Sequence, residues 1–150
     1  MYKEILLLLD RSPLAEAAIP HARALAKAFG ARVTLLSVVE PIGIYAQPGV
    51  VGPVFSVAIN IEEEMENVGQ YLQTIADQLK AEGIDAKKVV REGDAASQIC
   101  DYAHETKMDL IVMSTHGRSG IQRWVYGSVA DKVLKAAEIP VLLIRARTSK

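Results

Sequence analysis

Cysteine, an excess of basic charge and long apolar runs are what this chain has least of. A single cysteine, Cys100, in 150 residues excludes an intramolecular disulfide, and no Cys/His cluster falls at metal-ligand spacing. That favours a reducing compartment, and the cytoplasm is the expected location. Lys and Arg number 17 against 18 Asp and Glu, a formal net charge of -1, so there is no basic field to hold a polyanion and no nucleic-acid partner is expected. No segment approaches the ~18 apolar residues of a membrane span, so no membrane partner is expected either. The opening MYKEILLLLD has an apolar run but no basic leader of useful length and no small-residue cleavage site. It reads as a buried strand.

What is present is an ordinary globular composition, 50% hydrophobic and 23% charged. One domain over residues 1–150 is expected, large enough to bury roughly two-thirds of its unfolded surface. Ile5 to Leu9 is a continuous apolar run, too short for a helix and suited to a strand covered on both faces. Ser12 and Pro13 read as N-cap and first residue of a helix over LAEAAIPHARALAKAFG, ending at Gly30 and kinked near its second turn by Pro20. Further strands are expected at Val33 to Val39, around Val89 to Arg91, at Leu110 to Met113, and at VLLIR after Pro140. Ile61, Met65, Val68, Leu72, Ile75 and Leu79 alternate in steps of four and three, the stripe of an amphipathic helix. A helix from about Ala95 to Glu105, capped by Asp94, and another from near Ser128 complete four main helices. Alternating strands and helices predict an α/β fold with a doubly wound parallel sheet and right-handed crossovers. The proline- and glycine-rich segment 41–59 has neither period and reads as a lid, binding loop or partner surface.

In such sheets ligands bind beyond the carboxyl ends of the strands, where the strand order reverses. Two common nucleotide signatures are missing. DRSPLAEA after the first strand has no glycine, which excludes the dinucleotide fingerprint, and no G-x-x-x-x-G-K-[ST] phosphate loop occurs. After the fourth strand comes STHGRSGIQRWVYGS, with Gly127-Ser128 opening a helix whose first amides and dipole favour an anion. Taken alone, that pair also suits a plain helix start, and Gly117 and Gly120 suit plain turns. The concentration of hydroxyls, His116, Arg118 and glycines directly after a buried strand points toward binding.

These residues resemble the universal stress proteins, whose nucleotide-binding members carry glycine, two residues, glycine, nine residues, then glycine and serine or threonine. Here Ser114, Gly117 and Gly127-Ser128 stand in that register, with serine at the first glycine position. The resemblance extends from the strand ending in Asp10, through LLSVVEP, GDAASQI and DLIVMSTHGRSG, to IPVLLI. It implies a Rossmann-like domain with a five-stranded parallel sheet in the order 3-2-1-4-5. It also implies an adenine nucleotide, ATP or AMP/ADP, with Mg or Mn on the phosphates. Asp10 would lie near the ribose or that metal, Val38 at the adenine edge, and Met113 and Ser114 along the ribose. Gly117, Gly127, Ser128 and Val129 would hold phosphates, with His116 and Arg118 as phosphate neighbours. The other reading of Asp10 is a cap on the first helix, and of Val38, strand core. A homodimer is implied through the edge strand, residues 141–145.

Trp124 is expected to fill a local gap, and His21 and His104 to lie at the surface. Cys100 is expected on the apolar face with Ala96, Ile99 and Ala103, as an inert core thiol. No nucleophile elbow, Ser/His/Asp order or isolated carboxylate pair points to a hydrolase. The resemblance therefore implies an adenine-nucleotide-binding stress-response protein that acts as a sensor or adaptor. Its rivals are a slow ATP hydrolase or phosphotransfer protein on the same site, and a nucleotide-free protein that captures an unidentified partner through 41–59.

Overall fold

In a computed structural model, which describes residues 1–41, 60–115 and 127–146, the chain runs through β1 (Glu4–Leu8), α1 (Pro13–Glu16), α2 (Ile19–Phe29) and β2 (Arg32–Val39). It continues through α3 (Ile61–Ala81), β3 (Ala86–Glu92), α4 (Ala95–Glu105), β4 (Leu110–Ser114), α5 (Ser128–Ala136) and β5 (Val141–Ile144). The five strands form one parallel sheet in the order β3-β2-β1-β4-β5, as the resemblance implies. β1 lies at its centre, paired through Leu7↔Leu35 with β2 and through Leu7↔Val112 with β4.

The apolar run of β1 is continuous because both faces are covered. Ile5, Leu7 and Leu9 pack with Ala22, Ala26, Val68 and Leu72 of α2 and α3, while Leu6 and Leu8 pack with Ile99, Tyr102, Ala130 and Val133 of α4 and α5. Leu6, Leu7, Leu35 and Ile111 are fully buried. The α3 stripe faces this core from Val68 through Leu79, and the Asn60 side chain accepts from the Glu63 amide to start that helix. Glu62, Glu63 and Glu64 occupy its first turn, where the dipole favours them.

The helix expected after Ser12 does not run on through a kink. Ser12 caps α1 by accepting from the Ala15 amide at 3.1 Å, but the segment breaks at Ala17–Ala18 and restarts as α2 with Pro20 in its first turn. There the missing proline N–H leaves nothing unsatisfied, whereas a continuous helix would set the ring against the Glu16 carbonyl. Gly30 ends α2 with φ 64°, and the Ala31 amide donates to the Ala26 carbonyl across it at 3.0 Å. α4 matches its expected span, with Asp94 accepting from the Ser97 amide. Cys100 is half-buried while Ala96, Ile99 and Ala103 are buried, so it borders the apolar face instead of lying in it. One position past Ile99 it is turned about 100° around the helix, and its thiol pKa is pushed up by burial and then by Asp101. His21 and His104 are exposed. Among the described residues no helix is long and apolar enough to cross a membrane.

Candidate functional site

The strand order reverses between β1 and β4, since β1 leads outward to β2 and β3 while α4 carries the chain back across to β4. The crevice beyond their carboxyl ends is therefore the place to look for a ligand. Asp10 stands three residues past Leu7 and Thr115 three past Val112, the last pair in register, so the two strands deliver these residues to the same edge. Met113, Ser114 and Thr115 are 5%, 7% and 4% exposed, so the carboxyl end of β4 is built from buried groups.

Thr115 organises the β4 side. Its amide donates to the Ile144 carbonyl of β5 at 2.9 Å, and its carbonyl accepts from the Gly127 amide at 2.8 Å. The second bond sets the start of α5 beside the end of β4. Gly127 is the α5 N-cap with φ -51° and ψ 150°, and among the described residues no side chain caps it. Its carbonyl accepts from the Asp131 amide at 3.0 Å. The helix ladder provides no acceptor for the amides of Ser128 and Val129, its first two residues. The Gly127 amide, expected to hold phosphate, instead donates its single hydrogen to the Thr115 carbonyl.

Ser114 ends β4 in register with Ile144 and is not among the residues with positive φ. The backbone therefore does not demand glycine at this motif position. On the β1 side, Asp10 Oδ1 accepts from the Ser12 amide at 2.9 Å, while α1 is capped by the Ser12 hydroxyl. Asp10 thus closes a turn over Arg11 and is not the cap of α1. Val38, at the end of β2, is half-buried and packs against the α4–α5 core, in keeping with its strand-core reading. His116, Gly117, Arg118 and Trp124 lie outside the described residues, as does nearly all of the 41–59 segment.

Two cross-links gave no sequence signal because their partners are far apart in the chain. Arg11 pairs with Glu64 of α3, and the Tyr71 hydroxyl donates to Glu16 at 2.6 Å, 53 and 55 residues away. Tyr71 has its pKa pushed well above the usual phenol range, first by burial and then by its bond to Glu16, so it remains a donor. Among the described residues no group of three or more His, Cys, Asp or Glu could hold a metal.

The family model that matches residues 1–145 is that of the universal stress protein family. The chain belongs to this family. Among curated relatives, universal stress protein MJ0531 of Methanocaldococcus jannaschii is 34% identical over 97% of this chain and 83% of its own length. Solved universal stress proteins share the fold. One from Archaeoglobus fulgidus in complex with dAMP has a TM-score of 0.68 at 22% identity, covering 96% of this chain and 98% of that one. Another, in complex with cAMP, has a TM-score of 0.69 at 21% identity, covering 97% and 98%.

Proposed function

We propose that this universal stress protein binds an adenine nucleotide, with ATP the leading candidate, across the β1–β4 crevice, and acts as a homodimeric stress-response sensor or adaptor in the cytoplasm. The observation that carries the reading is the start of α5. The Thr115–Gly127 hydrogen bond sets it beside the end of β4, and among the described residues it begins without a side-chain cap. Its first amides and dipole suit a phosphate. Two proteins of the same fold hold adenine nucleotides, dAMP and cAMP. Ser128 and Val129 would hold the phosphates through their amides, with Gly117, His116 and Arg118 beside them. Gly127 would give the ligand room, Asp10 would meet the ribose or a phosphate-bound Mg or Mn, and Val38, Met113 and Ser114 would line the nucleoside.

The described groups supply positions for a ligand and no pair arranged as nucleophile and base, so the nucleotide serves as a ligand whose binding changes what the protein contacts. The dimer would form along β5. It is the outer strand of the sheet, its Val141, Leu142 and Leu143 are only partly buried, and an open edge is a template for pairing.

The test is the small molecule released when protein purified from cells is denatured, identified by mass spectrometry, followed by calorimetric titration with ATP. An adenine nucleotide is expected in the first experiment. In the second, Gly127→Val is expected to weaken ATP binding by at least about tenfold, because a β-branched side chain obstructs close approach of phosphate. A Gly127→Val protein that titrates like the parent would overturn the site.

A further inference from the structure

Between the crevice and α3 lies a group of side chains that the nucleotide reading does not use. Two non-glycine residues among those described have positive φ, Lys107 at 54° and Arg11 at 68°. Lys107 follows the end of α4, where the Met108 amide donates to the Ala103 carbonyl across it at 2.9 Å, a left-handed helix finish. Arg11 ends no helix. It follows Asp10 directly, and an arginine keeps this backbone only where its surroundings hold it there.

The surroundings do so from two sides. Asp10 Oδ1 accepts the Ser12 amide and closes the turn. The Arg11 guanidinium pairs with Glu64, the two side chains being 29% and 27% exposed, so the pair is partly shielded from water. Tyr71, seven residues beyond Glu64 and on the same face of α3, holds Glu16 just downstream of the turn. α3 is itself fixed to the sheet by Val68 and Leu72. The turn that carries Asp10 is therefore referenced to a rigid helix and not only to its own strand.

We infer that Arg11 and Glu64 are positioning residues for Asp10, their ion pair holding the strained turn in the one conformation that aims the carboxylate at the nucleoside; this rests on the nucleotide reading of the crevice. Without the pair, the turn relaxes toward the negative-φ conformations that an arginine ordinarily favours, and the ligand must select the productive one. Its apparent affinity falls by the fraction of molecules that hold that conformation.

The test is calorimetric titration with adenosine, ATP and inorganic tripolyphosphate, using Glu64→Gln, Arg11→Ala and the double variant, each in the parent and in an Asp10→Asn background. Glu64→Gln keeps the side-chain shape and removes the charge. In metal-free buffer it is expected to weaken adenosine and ATP about three- to fivefold, the scale of one partly shielded ion pair, and to leave tripolyphosphate within about twofold. The double variant should lose no more than the larger single, and the loss should vanish in Asp10→Asn. A merely structural role would weaken all three probes and would persist in Asp10→Asn, and either result overturns the inference. Should Arg11→Ala fail to fold, Glu64→Gln across the Asp10→Asn background decides the same question. A parent that binds ATP with Glu64→Gln indifferent sinks the positioning role alone, and a parent that binds none of the probes sinks the nucleotide reading and this inference with it.

Discussion

α4 and α5 both begin at the carboxyl edge of the sheet and both pack against the same core, yet they finish their N-termini in opposite ways. α4 is closed by the chain itself: Asp94 accepts from the Ser97 amide at 3.0 Å and from its hydroxyl at 2.8 Å, and Glu40 at the end of β2 accepts from the Ala95 amide at 3.2 Å. Two carboxylates thus sit where the dipole of α4 favours negative charge. α5 starts at Gly127 with no side-chain cap. The same need is met by side chains at α4, whereas the N-cap residue of α5 supplies none; in the function proposed above, a phosphate meets it there. The residue at the N-cap, aspartate or glycine, makes the difference.

The largest effect should come from making α5 resemble α4. The Gly127 backbone, at φ -51° and ψ 150°, is a conformation any residue adopts, so Gly127→Asp fits the N-cap without strain. Its carboxylate would occupy the first amides and repel phosphate. Loss of ATP affinity of about a hundredfold is expected, with stability raised by about 0.3 kcal/mol because aspartate caps slightly better than glycine. Titration and thermal melting read the two together. Lower affinity with lower stability would mean that glycine serves the fold, and the contrast between the two helices would lose its point.

The converse variant, Asp94→Ala, opens α4. Its melting temperature should fall by about 3 °C at pH 7 while ATP affinity stays at the parent value. The pKa of Asp94 is held below the ordinary carboxylate range, first by the Ser97 amide and then by the Ser97 hydroxyl. A depressed folded pKa contributes stability above the unfolded value, and that contribution is lost as pH falls through the folded value. The difference between parent and Asp94→Ala should therefore be full above about pH 4 and shrink as the solution is acidified below it. A difference that stays constant on acidification would show that Asp94 acts through something other than its charge.

Asp94 is legible in the sequence, because a cap residue is marked by its type and by its place before a periodic segment. The same holds for Ser12 at the start of α1, and for β1, whose unbroken apolar run predicts cover on both faces. Local chemistry settles each of these. The engagement of the Gly127 amide by Thr115 is not legible, since only the fold brings these two residues together. Arg11–Glu64 and Glu16–Tyr71 are hidden for the same reason: tertiary packing alone brings partners more than 50 residues apart together. The restart at α2 shows the opposite failing. Pro20 is plain in the sequence, but a proline can kink a helix or begin one, and only the fit of Ala18 and Ala22 into the core decides between them.

The smallest expected effect is the most discriminating about what Glu40 contributes to α4. Its carboxylate reaches the Ala95 amide from another strand connection, 55 residues away, and both groups are exposed or half-buried. Asp94 already caps this helix, so Glu40→Gln, which keeps an acceptor oxygen and removes the charge, should change stability by no more than about 0.5 kcal/mol. If the charge matters, the change should shrink further in salt, because a dipole interaction at the surface is screened. In Asp94→Ala the same substitution should cost more than in the parent, since Glu40 would then be the remaining carboxylate at that end. Denaturant melts of the four proteins at low and high salt measure both. Strict additivity would mean that the two carboxylates do not share the α4 N-terminus, and that the closed end of the comparison rests on Asp94 alone.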